Sequence, residues 1–169
     1  TMQATGLPFI AVPGMPSTAP STSVKLPGVQ GLRVDVLAHG DVLGASIKVP
    51  EMDWCAQAVP HYDYLLAEAE PGALLAGGHC IPVRLPQAGR FVWHKFYAST
   101  QRHGFPEKAA KDRHQALVLA AILAESESHL LTQAFQLAPA PMVSAIRPIL
   151  SKLIEGTMAH PELVDVLRA

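Results

Sequence analysis

Prolines and glycines are packed so closely through the first 40 residues that no helix of useful length fits there. Pro13, Gly14, Pro16, Pro20, Pro27, Gly28, Gly31 and Gly40 cut this part of the chain into short pieces. Proline has no N–H to give a ladder or a helix, and glycine costs backbone entropy in either, so both collect in turns between short extended segments. The expected elements are strands at Thr22 to Leu26 and Leu32 to Leu37, joined as a hairpin through Pro27-Gly28-Val29-Gln30-Gly31, with Ala45 to Val49 adding a third strand to a small antiparallel meander. The strand period of two places Leu32, Val34 and Val36 on a core face and Arg33 and Asp35 on a charged one. After a segment interrupted by Pro60, Tyr62 to Glu68 reads as a short helix, and Ala73 to Leu75 and Cys80 to Leu85 read as strands joined through Gly77-Gly78.

Beyond Pro86 the pattern changes. Apolar residues recur with the helical period over Arg90 to Arg102, Pro106 to Glu125, Ser128 to Leu137, Pro141 to Ile154 and Pro161 to Leu167. Pro106, Pro141 and Pro161 stand near helix starts, where the missing N–H would have gone unpaired anyway. Strands followed by a run of helices predict an α+β fold, a strand-rich part over 1–86 and a helical part over 87–169. With 49% hydrophobic residues in 169, the chain has the apolar material for a true core.

Two of these helices carry polar groups where an apolar stripe is expected. Phe91, Lys95, Ala98 and Arg102 follow one face of the first, and Asp112, Gln115, Leu119 and Ile122 one face of the second. Lys95 and Asp112 have the spacing of a structural ion pair between packed helices. A single carboxylate, however, does not neutralise Lys95, Arg102, Lys108 and Lys111 together. Seven of the thirteen Lys and Arg fall between Arg84 and Arg113, against Glu107 and Asp112 alone. Such a surplus suits an anionic ligand, a triphosphate or a nucleic-acid backbone, with Asp112 positioning a lysine; an ordinary solvated basic face is the plain alternative. His94 adjoins this patch, and a hydrogen-bonded, half-buried histidine is its expected role.

Several chemistries lack their pattern. Cys55 and Cys80 form no CxxC pair, and the eight histidines show no HxH or HExxH spacing. There is no GxSxG elbow for a serine nucleophile, and Gly77-Gly78 leads into a strand, not into the helix of a phosphate loop. A net charge of -1 argues against whole-surface affinity for nucleic acid. No apolar run approaches a membrane span, and the opening TMQATGLPFIAVPG lacks the parts of a signal peptide, so a cytoplasmic protein is expected.

Pro20-Ser-Thr-Ser23 before a strand, Leu32-Arg-Val-Asp35-Val-Leu37, Pro86 leading to Arg90-Phe-Val-Trp-His94-Lys95, and Lys108-x-x-Lys111-Asp112-x-x-Gln115-Ala116 together resemble bacterial proteins of the nucleotidyltransferase-like domain type, in order and spacing over about Leu7 to Leu137. The resemblance implies a polymerase-β-like core that transfers a nucleotidyl group from an NTP to a hydroxyl acceptor, which could be a tRNA, a protein or a small molecule. It implies Mg2+ as cofactor, with Asp35 matching the third metal-binding carboxylate, whose catalytic role is to bind the metal and help activate the attacking hydroxyl; the surplus of cations adds the expectation of nucleotide contacts from Lys95, Arg102, Lys111 and Asp112. The family's Gly-Ser and Asp-x-Asp element has no counterpart in these 169 residues. The chain starting at Thr1 and Met2 is therefore expected to be a C-terminal portion, inactive unless another segment or subunit supplies the missing carboxylates. Two other readings stand beside this one: a non-catalytic module of the same fold that binds nucleic acid or protein, and a helical half used for homo-oligomerisation through Leu117, Leu119, Ile122, Leu123, Leu130 and Leu131.

Overall fold

The computed structural model describes residues 5–14 and 16–168; Thr1 and Met2 lie outside them. The chain is α+β, with small sheets in its N-terminal half and helices from residue 88 onward. It forms two compact units that divide between Tyr62 and Asp63.

The first unit holds two three-stranded sheets. Strands β1 (Ile10–Ala11), β2 (Ser23–Lys25) and β3 (Arg33–Asp35) form an antiparallel sheet, and β2 and β3 are the hairpin expected around Pro27 to Gly31. The register sets Ser23 opposite Asp35 and Lys25 opposite Arg33. Leu32 to Leu37 is not one strand, however. At Val36 the chain changes sheets: its N–H donates to the Thr22 carbonyl at 3.0 Å, and its carbonyl accepts from Gln57 at 2.7 Å. Beyond it β4 (Leu37–His39) pairs in parallel with β6 (Trp54–Val59), whose other edge pairs antiparallel with β5 (Ser46–Val49). Ala45 to Val49 thus joins the second sheet, not the meander, because β6 follows after a single 3-10 turn, Pro50–Met52, and offers the shorter loop to close. The expected core face is likewise corrected, as Leu32 is exposed and Val34 and Val36 are only half-buried, while Arg33 and Asp35 are exposed as expected.

The second unit starts in α1 (Tyr62–Leu66) and continues as a hairpin of β7 (Glu70–Ala76) and β8 (His79–Leu85). Gly77 and Gly78 both have positive φ, as a two-residue turn with a right-handed strand twist requires. Pairing Ala76 with His79 next to such a turn puts Pro71, opposite Arg84, and Pro82, opposite Ala73, in pairs whose N–H positions face outward. Five helices follow: α2 (Ala88–Thr100), α3 (Pro106–Ser126), α4 (Ser128–Gln136), α5 (Ala140–Gly156) and α6 (Pro161–Arg168).

Helix α2 is the hub and packs on α3, α4 and α5. Gln87 caps it, its side-chain oxygen accepting from the Arg90 N–H at 2.9 Å. Val92, Trp93 and Phe96 fill the core with Ala116, Ala120, Leu131, Met142, Ile146 and Leu163 from the other helices. The aromatic side chains that bring polar ends inside find α4 carbonyls: Trp93 Nε1 donates to Leu131 at 2.8 Å, and the Tyr64 hydroxyl donates to Ala134 at 2.7 Å. Burial holds the Tyr64 hydroxyl far above its ordinary pKa, against a smaller opposing pull from Arg90. Among the described residues no helix is long and apolar enough to cross a membrane.

Candidate functional site

Two of the polar groups foreseen on the helices, Lys95 and Arg102, converge on one carboxylate. Asp112 sits in the second turn of α3 on the side facing α2 and is buried. Lys95 Nζ donates to its Oδ1 at 2.7 Å, and Arg102 Nε donates to its Oδ2 at 3.1 Å, so each oxygen has a cation of its own. The side chains are 24%, 29% and 7% exposed for Lys95, Arg102 and Asp112, which leaves the cations reachable from solvent and the carboxylate not. Burial pushes the Asp112 pKa up, but Lys95 and Arg102 together outweigh it and hold the carboxyl below its ordinary range. Lys95 also lies 5.5 Å from the centre of the Phe91 ring, one turn earlier on α2.

Two details differ from the helical stripes read in the sequence. Arg102 lies beyond the end of α2, in the connection to α3, and reaches Asp112 from there. On α3 the buried stripe runs Ala109, Asp112, Ala116, Ala120 and Leu123, while Gln115 and Ile122 are exposed. The step from Asp112 to the next inward residue is four, not three, and this turns Gln115 out to water.

Around this cluster, residues 95–113 carry five cations against Glu107 and Asp112. Lys111 is exposed on α3, and Lys108 stands 4.9 Å from the centre of the Phe105 ring. Neither is ion-paired among the described residues. His94 is buried beside Lys95, with its ring centre 6.2 Å from that of Tyr97. Arg90, one of the seven cations between Arg84 and Arg113, is buried and structural: it donates to Glu68 at 3.0 Å and lies over the Tyr64 ring.

Asp35 belongs to the first unit. Its Oδ1 accepts from the Ser23 hydroxyl on the facing strand and from Arg33 Nε at 2.8 Å, and Arg33 Nη2 also reaches the Ser23 oxygen at 2.9 Å. The Ser23 hydrogen bond lowers the Asp35 pKa most, partial burial opposes it, and Arg33 adds to the lowering. Ser23, which has no nucleophile pattern in the sequence, is thus the partner that orients this carboxylate; the hairpin register is the signal that identifies it. Among the described residues no three His, Cys, Asp or Glu side chains gather as a metal site would need. Asp35, with both of these contacts on Oδ1, offers one carboxylate ligand and not a complete two-metal set.

A model of the nucleotidyltransferase family matches residues 2–139, most of the chain. The chain belongs to that family. No curated protein and no solved structure matches it. The nucleotidyltransferase match takes in the hairpin with Asp35 and the α2–α3 pair with Lys95, Arg102, Lys111 and Asp112, and it ends before α5.

Proposed function

We propose that this nucleotidyltransferase family member serves transfer of a nucleotidyl group from an NTP to a hydroxyl acceptor, with Lys95, Arg102 and Lys111 contacting the phosphates. The observation that carries this reading is the sharing of one buried carboxylate by two partly exposed cations. Asp112 fixes Lys95 and Arg102 in place yet cancels only one of their two charges. A residual positive charge held by α2 and the α2–α3 connection is what an anionic triphosphate needs, and cations anchored on a shared carboxylate lose little freedom when the ligand arrives.

In the reaction the acceptor oxygen forms a bond to the α-phosphorus and its proton passes to water, while the bond from that phosphorus to the α,β-bridging oxygen breaks and pyrophosphate leaves with the electron pair. Lys95, Arg102 and Lys111 would stabilise the charge that gathers on the departing phosphates. Asp35, its pKa lowered by Ser23 and Arg33, is ionised at neutral pH and a weak base, which suits a carboxylate ligand better than a group that removes the acceptor's proton. Asp35 of the first unit would give Mg2+ one ligand, other carboxylates from another segment or subunit would complete the set, and the ion when bound supplies charge neutralisation.

Calorimetry of the intact protein with each of the four NTPs and Mg2+ tests this. Saturable binding is expected, weakened at least tenfold by Lys95→Ala and clearly reduced by Asp35→Ala. Absence of binding, or binding that neither substitution changes, overturns it. Steeply salt-dependent binding of RNA without any NTP binding would instead favour the nucleic-acid module.

A further inference from the structure

We propose that the helical unit carries a second ligand site, a cleft among α2, α4, α5 and α6 that takes a small molecule with a flat apolar body and one terminal carboxylate or phosphate. The cleft has a volume of about 320 Å³, at the lower end for small-molecule sites. Trp93 and Phe135 form an aromatic wall, their ring centres 4.5 Å apart and their planes tilted by 42°. The indole N–H of Trp93 is already committed to the Leu131 carbonyl, so the ring meets the cleft as an apolar surface. Leu150, Val166 and Leu167 complete the apolar lining.

The polar lining is what selects the ligand. Arg147 of α5 and Arg168 of α6 both line the cleft, both are exposed, and neither is ion-paired or hydrogen-bonded through its side chain among the described residues. Four of the other five arginines have partners: Arg33 has Asp35, Arg90 has Glu68, Arg102 has Asp112 and Arg84 donates to the Ala69 carbonyl, while Arg113 of α3 has none among the described residues and does not line this cleft. A bound carboxylate or phosphate would give guanidinium groups at the rim of this cleft the forked hydrogen bonds they otherwise make only to water. Gln136, whose side chain likewise has no partner among the described residues, adds a neutral donor at the same cleft.

The site is separate from the α2–α3 cluster. Trp93 and Lys95 are two positions apart on α2, about 200° around the helix axis, and so present different faces. The nucleotidyltransferase match covers α2 and α4 but stops short of both arginines, so the cleft joins family-matched helices to two that lie beyond the match. The larger cavity, about 500 Å³ along the β7–β8 hairpin, has a single arginine, Arg84, and that one is occupied.

Calorimetry on the full chain with 1-naphthyl phosphate, 1-naphthoate and neutral 1-naphthol decides the matter. One-to-one binding of at least one anion is expected, with the tighter of the two fixing the head group and 1-naphthol at least tenfold weaker. Arg147→Gln and Arg168→Gln should each weaken the anion at least tenfold without moving the thermal midpoint, since both side chains are exposed, and Lys95→Ala should leave binding unchanged. The proposal is overturned by no saturable heat at millimolar anion, by naphthol binding equally well, by unaltered binding in both arginine variants, or by loss of binding in Lys95→Ala.

Discussion

At Asp112, burial and two neighbouring cations act in opposite directions on one carboxyl group, and the cations prevail. Replacing it with Asn keeps the shape but leaves Lys95 and Arg102 facing each other without a counter-charge. The expected cost is about 1–3 kcal/mol, the scale of lost charged hydrogen bonds and less than that of stranding a fully buried charge, because both remaining cations reach water. The pH dependence follows from the sign of the shift. Because the folded pKa lies below the unfolded value of 3.8, the unfolded chain binds more protons in that range. The contribution is therefore complete above 3.8 and is lost as pH falls through the folded pKa. Urea unfolding of the wild type and Asp112→Asn should differ most at neutral pH and converge in acid. The Lys95–Asp112 pair was legible because charged residues at core-facing positions of two adjacent helices have few other ways to be satisfied. The place of Arg102 was not, since a residue in the α2–α3 connection is positioned by the turn and not by the helical period. The Ser23–Asp35 bond needed strand register, which a five-residue loop leaves open until the pairing is known.

Among the elements, α2 and α4 come close together at Gly89, where a methyl group would run into the Leu130 carbonyl oxygen and crowd the Ala134 side chain. Gly89→Ala sets two effects against each other. Alanine gains about 1 kcal/mol in helix propensity, whereas overpacking costs about 1–3 kcal/mol, and here the obstacle is backbone that cannot swing aside. The substitution should lower the urea midpoint, and a rise would show that the two helices can part freely. Helix positions were readable to within a few residues because proline and the helical period coincide, as at Pro86 and Pro106. The sheet partners were harder. Leu32 to Leu37 is an unbroken run of strand formers apart from Arg33 and Asp35, and nothing in it marks Val36 as the residue that bonds to both sheets. Trp54 to Val59, the centre of the second sheet, was hidden by its neighbour Pro60.

For the molecule as a whole, the large apolar cluster draws entirely on residues 64 to 167. The buried residues of the first unit are Ser23, Ala56, Ala58 and Pro60 among those described, a much leaner interior. A fragment spanning 63–169 should keep its helical circular dichroism and unfold cooperatively, whereas one spanning 5–62 should show no cooperative transition. Failure of the longer fragment to fold would mean that its core depends on the rest of the chain. The division into strands and helices was legible from the change at Pro86, but the boundary between compact units lies earlier, because the β7–β8 hairpin goes with the helices that follow it. That hairpin exposes Leu74, Leu75, Ile81 and Leu85, the composition of a segment prone to self-association. Pro71 and Pro82 remove one outward donor from each of its edges, so a further strand added on either side would meet a gap in its ladder. The two prolines thereby act as gatekeepers against fibril growth, letting the protein display these apolar side chains without offering a continuous template for cross-β assembly.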